Sequence, residues 1–165
     1  METKFDYDKL FEEQLELGQE FQDHCMEIIW ERLNILLGNY SSKKYQYKHG
    51  ENMQGFELKY DRSFEETGNL WIEVSKRKSP YEPYYTAGIY HQDNAWLYCI
   101  GNYKILFIFS KKLLRQLHKT GKYLVRPNKI DTSKGFLLST EEADKYCAHK
   151  IETLEGFVNN VGGNA

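Results

Sequence analysis

Between Glu51 and Asp61 the chain reads Glu-Asn-Met-Gln-Gly-Phe-Glu-Leu-Lys-Tyr-Asp. A β-strand turns successive side chains to opposite faces. The spacing therefore predicts a strand over 55–61 with Phe56, Leu58 and Tyr60 on one side and Glu57, Lys59 and Asp61 on the other. Buried, such a row of charges is costly unless its members are paired or hold a metal. Exposed, it would be a salt-bridge ladder on an edge strand. Leu70, Ile72 and Val74 then alternate with Trp71, Glu73 and Ser75, which places Glu73 on a second strand, expected beside the first. Two carboxylates on adjacent strands with a lysine nearby outline a site for a hard cation. Mg²⁺ (or Mn²⁺) takes oxygen ligands and keeps several waters, so two or three carboxylates suffice.

The remaining pattern places these strands in an α/β chain with a mixed central sheet flanked by helices. Apolar residues from about Tyr7 to Leu37 recur at helical spacing, with Asp6 or Asp8 to cap the start, Gly18 as a break and Gly38-Asn39 as the end. Lys43 to Lys48 alternates Tyr45 and Tyr47 with polar residues and predicts a strand. Ala95 to Ile100 and Ile105 to Phe109 predict a hairpin turning at Gly101-Asn102. Ser110 caps a helix over 111–118, and 79–92 is a loop with a short helix. Gly135 to Leu138 predicts an edge strand, and Thr140 opens a final helix reaching about Leu154. One domain over 1–160 with a frayed tail at 161–165 is expected.

A formal net charge of -2 rules out a globally basic binder. The charge is uneven, however: the first third is acidic, and 104–134 is basic, so one face can meet a phosphate backbone. The 3 cysteines are widely spaced and form neither a disulfide framework nor a zinc pair. With an acidic start and no long apolar run, a cytoplasmic location and no membrane association are expected.

Glu57-Leu58-Lys59 resembles the (D/E)-x-K element of the PD-(D/E)xK nuclease superfamily, and the run Glu57-x-Lys59-x-Asp61 followed by Thr67-Gly68-Asn69 and Ile72-Glu73 resembles a phage-type branch of it. The resemblance spans roughly Lys43 to Phe109. It implies a restriction endonuclease-like core and hydrolysis of phosphodiester bonds in DNA. It also implies metal ligation by Glu51 and Glu57 with the Leu58 carbonyl, Lys59 assisting the attacking water, and Glu73 and Asp61 supporting the site. Glu51 stands where the family more often has Asp. In a rival register Glu73-Val74-Ser75-Lys76 is the motif strand and Asp61 the upstream acid, but Ser75 then takes the lysine position. Some members use a glutamate of the first helix, for which Glu20 is the candidate. A dimer would suit a two-strand cut.

Further candidates for touching nucleic acid are Lys76, Arg77, Lys78, His91, Gln92, Lys111, Lys112 and Arg115, which would grip phosphates without reading sequence. Tyr81, Tyr84 and Tyr85 could stack on bases. Two rival readings stand beside the enzyme: a catalytically inactive nuclease-fold module serving in binding or structure, and an unrelated α/β interaction domain.

Overall fold

In a computed structural model, which describes residues 6–153, two four-stranded sheets pack face to face and one long helix covers the outer face of the mixed sheet. Helix α1 runs from Tyr7 to Leu33 without a break at Gly18. Asp6 caps it by accepting from the Lys9 N–H, and Asn34, left-handed at φ 55°, ends it ahead of the expected Gly38-Asn39. Lys43–His49 is helix α2 rather than a strand. The Ser42 side chain accepts from the Tyr45 N–H and starts the helix, and no residue of α2 is buried, so the tyrosine alternation has no core face to serve.

Strand β1 (Phe56–Tyr60) is an edge strand, parallel to β4 (Leu97–Gly101); β4 continues antiparallel to β5 (Ile105–Ser110), and β5 to β8 (His149–Glu152). The 102–104 turn of the β4–β5 hairpin is held by Asn102 Oδ1, which accepts from the Lys104 and Ile105 N–H groups. The second sheet is antiparallel, in the order β3 (Tyr85–Thr86), β2 (Asn69–Lys76), β7 (Ser133–Ser139), β6 (Arg126–Pro127). Three expectations are corrected here. β2 does not lie beside β1 but pairs with β3 and β7. β7 is an interior strand, because β6 covers the side expected to be open. The last helix, α5 (Thr140–Tyr146), is N-capped by Ser139 rather than Thr140, and the chain then returns as β8. The tail at 161–165 lies outside the described residues.

The mixed sheet is buried on both faces. One face sets Phe56, Leu58, Cys99, Leu106 and Ile108 against Phe21, Cys25 and Ile29 of α1. The other sets Tyr98, Ile100, Phe107 and Phe109 against Leu70, Ile72, Phe136 and Leu138 of the second sheet. Each large side chain buried this way contributes about 1.5–3 kcal/mol. Since β1 pairs Glu57 with Tyr98 and Lys59 with Ile100, the strand's polar side chains turn toward the second sheet. Two short helices complete the layers: α3 (Phe64–Thr67) leads into β2, and α4 (Lys111–Lys119) follows β5. A 3-10 turn at Gly88–Tyr90 backs onto β2. No helix among the described residues is long and apolar enough to cross a membrane.

Candidate active site on the free edge of strand one

The free edge of β1 is closed by the turn that precedes it. Asn52 pairs its side chain with the Phe56 backbone, accepting from N–H at 3.0 Å and donating to C=O at 2.8 Å. Glu51 Oε2 accepts from the Leu58 N–H at 2.9 Å and from Gln22 Nε2 of α1 at 3.2 Å. In a strand, the N–H and C=O of one residue point the same way, so the Leu58 carbonyl lies on the edge that Glu51 occupies. Burial, with Glu57 nearby, raises the Glu51 carboxyl to about 7 against the pull of Lys59.

Around the strand's polar face sits a chain of ion pairs. Glu57 Oε1 is 3.0 Å from Lys59 Nζ, and Oε2 is 2.6 Å from Lys111 Nζ. Lys111 in turn lies 3.3 Å from Asp93 Oδ1. The Glu57 and Lys111 side chains are 7% and 2% exposed, whereas Lys59 is 34% exposed. Burial pushes the Glu57 carboxyl up, but the two ammonium groups outweigh it and hold the group below its usual range. Burial works against the Lys59 charge, yet Glu57 and then Glu73 hold its proton well above the ordinary lysine value. Tyr98, buried beneath them, is also raised by burial and meets the Glu73 backbone.

These groups open into a groove of ≈ 1390 Å³ lined by Glu51, Lys59, Glu73 and Tyr98, with Lys43, Arg62, Arg126 and Lys129 around it. Those last four are all exposed. The groove thus has a mixed acidic and cationic floor and basic residues at its margin.

Other expected residues take different roles. Lys111 is no surface grip on phosphate, because its ammonium is buried against Glu57 and Asp93. Asp61, buried, accepts from the Ser63 and Trp71 N–H groups and ties the end of β1 to the start of β2. Glu20 is exposed, and the α1 side chain that reaches the site is Gln22. Arg77 is committed to Asp131 and stacks 4.3 Å from the Tyr84 ring. Arg115 donates from Nε to the Ile89 carbonyl at 2.5 Å. His91 Nε2 contacts the Tyr47 carbonyl at 2.9 Å, while Lys78, Gln92 and Lys112 are exposed. Lys76 adjoins Lys59, and burial together with that neighbour lowers its ammonium.

Gln22, Asp93 and Tyr98 escaped sequence reasoning, and Lys111 was expected only as a phosphate contact, not as the partner of Glu57 and Asp93. Only Tyr98 carried a usable signal, since it alternates in step with Glu57 once β1 and β4 are paired in parallel. The chain matches no family model, no curated protein and no solved structure.

Proposed function

We propose that the protein is a metal-dependent nuclease that hydrolyses phosphodiester bonds in DNA, working at the edge of β1 on a restriction endonuclease-like core. The observation that carries this reading is the meeting, at the floor of a basic-margined groove, of the Glu51 carboxylate, Leu58 and Lys59, with the buried Glu57 carboxylate paired to Lys59 behind them. The mixed four-stranded sheet with a helix against one face is compatible with that core.

The donors fit a hard divalent cation in kind. All are oxygens, and Glu51 is a half-buried carboxyl, raised to about 7 by burial against the pull of Lys59. Glu51, Glu57 and the Leu58 carbonyl would hold Mg²⁺ or Mn²⁺, which supplies a water activated for attack and neutralises charge on the phosphate. Gln22 fixes the Glu51 carboxylate by donating to Oε2. Lys111 and Asp93 fix Glu57 from below. Lys59, held protonated between Glu57 and Glu73, serves as a fixed positive charge toward the scissile phosphate rather than as a base. Arg62, Arg126 and Lys129 at the groove margin suit backbone phosphates.

A second reading is a nuclease-fold module without catalysis. It is favoured by the double pairing of Glu57 to lysines, and by the lack, among the described residues, of a group of three or more His, Cys, Asp or Glu placed to hold a metal. Incubating the protein with supercoiled plasmid and Mg²⁺ or Mn²⁺ separates the two. The nuclease reading expects nicking that EDTA and Lys59→Met abolish, and absence of cleavage with either metal favours the module.

A further inference from the structure

Helix α2 reads Lys-Lys-Tyr-Gln-Tyr-Lys-His, with no acidic residue and no buried one. A helix with nothing to bury gains little from packing, yet this one is firmly tethered. Ser42 caps its start, Gln46 Nε2 donates to the Tyr40 carbonyl at 2.6 Å, the Asn94 N–H donates to the His49 carbonyl at 3.1 Å, and His91 holds the Tyr47 carbonyl. Its rings stay in solvent, Tyr45 at 52% and Tyr47 at 57% exposed. They are not loose: Tyr45 lies 5.4 Å from the Tyr40 ring and 4.3 Å from His49, and Tyr47 lies 5.2 Å from His91. The Lys76 ammonium sits 5.8 Å from the Tyr47 ring and 5.9 Å from Tyr85. The result is two braced, exposed aromatic clusters on different sides of α2, Tyr45 with Tyr40 and His49, and Tyr47 with His91 and the Lys76 ammonium.

Aromatic rings held open beside lysines suit a ligand that presents flat faces and phosphates together. A duplex stacks its bases on one another and offers only backbone and groove edges, so it would use the lysines and leave the rings idle. An unpaired strand uses both. The platform also adjoins the groove: Lys43 and Gln46 of α2 line it with Glu51 and Lys59, and Lys76 is close enough to Lys59 to feel its charge.

We infer that α2, with Lys76 and Tyr85, is a stacking platform for single-stranded DNA that feeds an unpaired strand toward Glu51 and Lys59. This rests on the nuclease reading for what happens in the groove, but not for the binding itself.

Fluorescence anisotropy in EDTA tests it, with a labelled oligothymidine of about 20 nucleotides, longer than the roughly 4–16 one small domain spans, against a blunt duplex of equal length. The wild-type chain is expected to bind the single strand at least about tenfold tighter than the duplex. Tyr45→Ala with Tyr47→Ala should weaken the single strand by about tenfold to a hundredfold and leave the duplex unchanged, while Tyr→Phe at both positions keeps the preference. Replacing Lys43, Lys44 and Lys48 by Ala should lower the salt slope for the single strand by roughly 2. Equal affinity for the two DNAs, or an alanine variant that binds like wild type, overturns the proposal. Photo-crosslinking of iododeoxyuridine-substituted DNA to the unmutated chain removes dependence on variant folding: adducts on Tyr45 or Tyr47 are expected, and adducts only elsewhere overturn it. Single-strand preference without any cleavage in either Mg²⁺ or Mn²⁺ would sink the nuclease reading alone. Cleavage of duplex without single-strand preference would sink the platform alone.

Discussion

The Lys111 ammonium lies 2.6 Å from Glu57 Oε2, joining the first residue of α4 to the second residue of β1 through two nearly inaccessible side chains. A buried ion pair is weak support for stability in itself, but removing one partner strands the other's charge. Lys111→Met leaves Glu57 with Lys59 alone and Asp93 with no ammonium, and should lower unfolding stability by about 3–5 kcal/mol. Adding Glu57→Gln should recover part of that loss. Urea melts of the two single variants and the double variant check this; simple additivity would mean that the contact is not coupled.

Glu51 makes the opposite prediction. A carboxyl whose folded value stands near 7 against an ordinary 4.5 stays protonated in the fold after the unfolded chain has ionised. Its contribution is therefore favourable at low pH and is lost as pH rises from about 4.5 to about 7. In EDTA at about pH 8, Glu51→Gln, which keeps an oxygen for the Leu58 N–H, should melt higher than wild type, and the gain should vanish toward pH 4. Mg²⁺ or Mn²⁺ should raise the wild-type Tm by binding the folded state and should do so far less in the variant. Thermal melts across pH, with and without cation, read both effects.

His24 sets an acid limit. Its ring packs 4.8 Å from Tyr103 and 6.2 Å from Phe21, and among the described residues Nε2 is buried without a hydrogen-bond partner. Burial lowers the imidazole below its ordinary 6.5, against its hydrogen bond to the Tyr103 backbone and the charges of Glu27 and Glu31. The unfolded chain then takes the proton first, so the stability that neutral His24 contributes is present above 6.5 and declines as pH falls through it. His24→Gln should flatten that decline in Tm between about pH 7 and pH 5. An unchanged acid limb would show that the imidazole titrates alike in both states.

Local pattern carried the strands well where one face is apolar. β1, β2 and the β4–β5 hairpin were legible because Phe56, Leu58, Leu70, Ile72 and their neighbours meet a core on alternate residues. Lys43–His49 misled, because alternation in a helix with no buried residue reflects its outer surface rather than a sheet. Sheet membership was not legible: β2 follows β1 in sequence, and its Trp71 N–H donates to Asp61 at the end of β1, yet the two strands belong to different sheets. Glu57 and Lys59 were legible as sharing a face by parity, whereas Glu51 came only from the resemblance. Lys111 was not, since a lysine opening a basic helix reads as solvated until the fold sets Glu57 above it.

Lys59 holds Glu57 Oε1 at 3.0 Å, so a cation at this edge competes with its ammonium. Lys59→Met should therefore bind Mn²⁺ at least as tightly as wild type, by calorimetry, while losing turnover by about a hundredfold or more, as removal of a positioned charge from a transition state does.

The measurement closest to the central claim is cleavage of supercoiled and circular single-stranded DNA in Mn²⁺ by the wild-type, Glu57→Gln and Lys59→Met chains, each confirmed folded by circular dichroism. Hydrolysis at the β1 edge predicts products only from the wild type, and none in EDTA. Cleavage that persists in both variants, or a wild-type chain that binds DNA and Mn²⁺ yet leaves every phosphodiester intact, would contradict it.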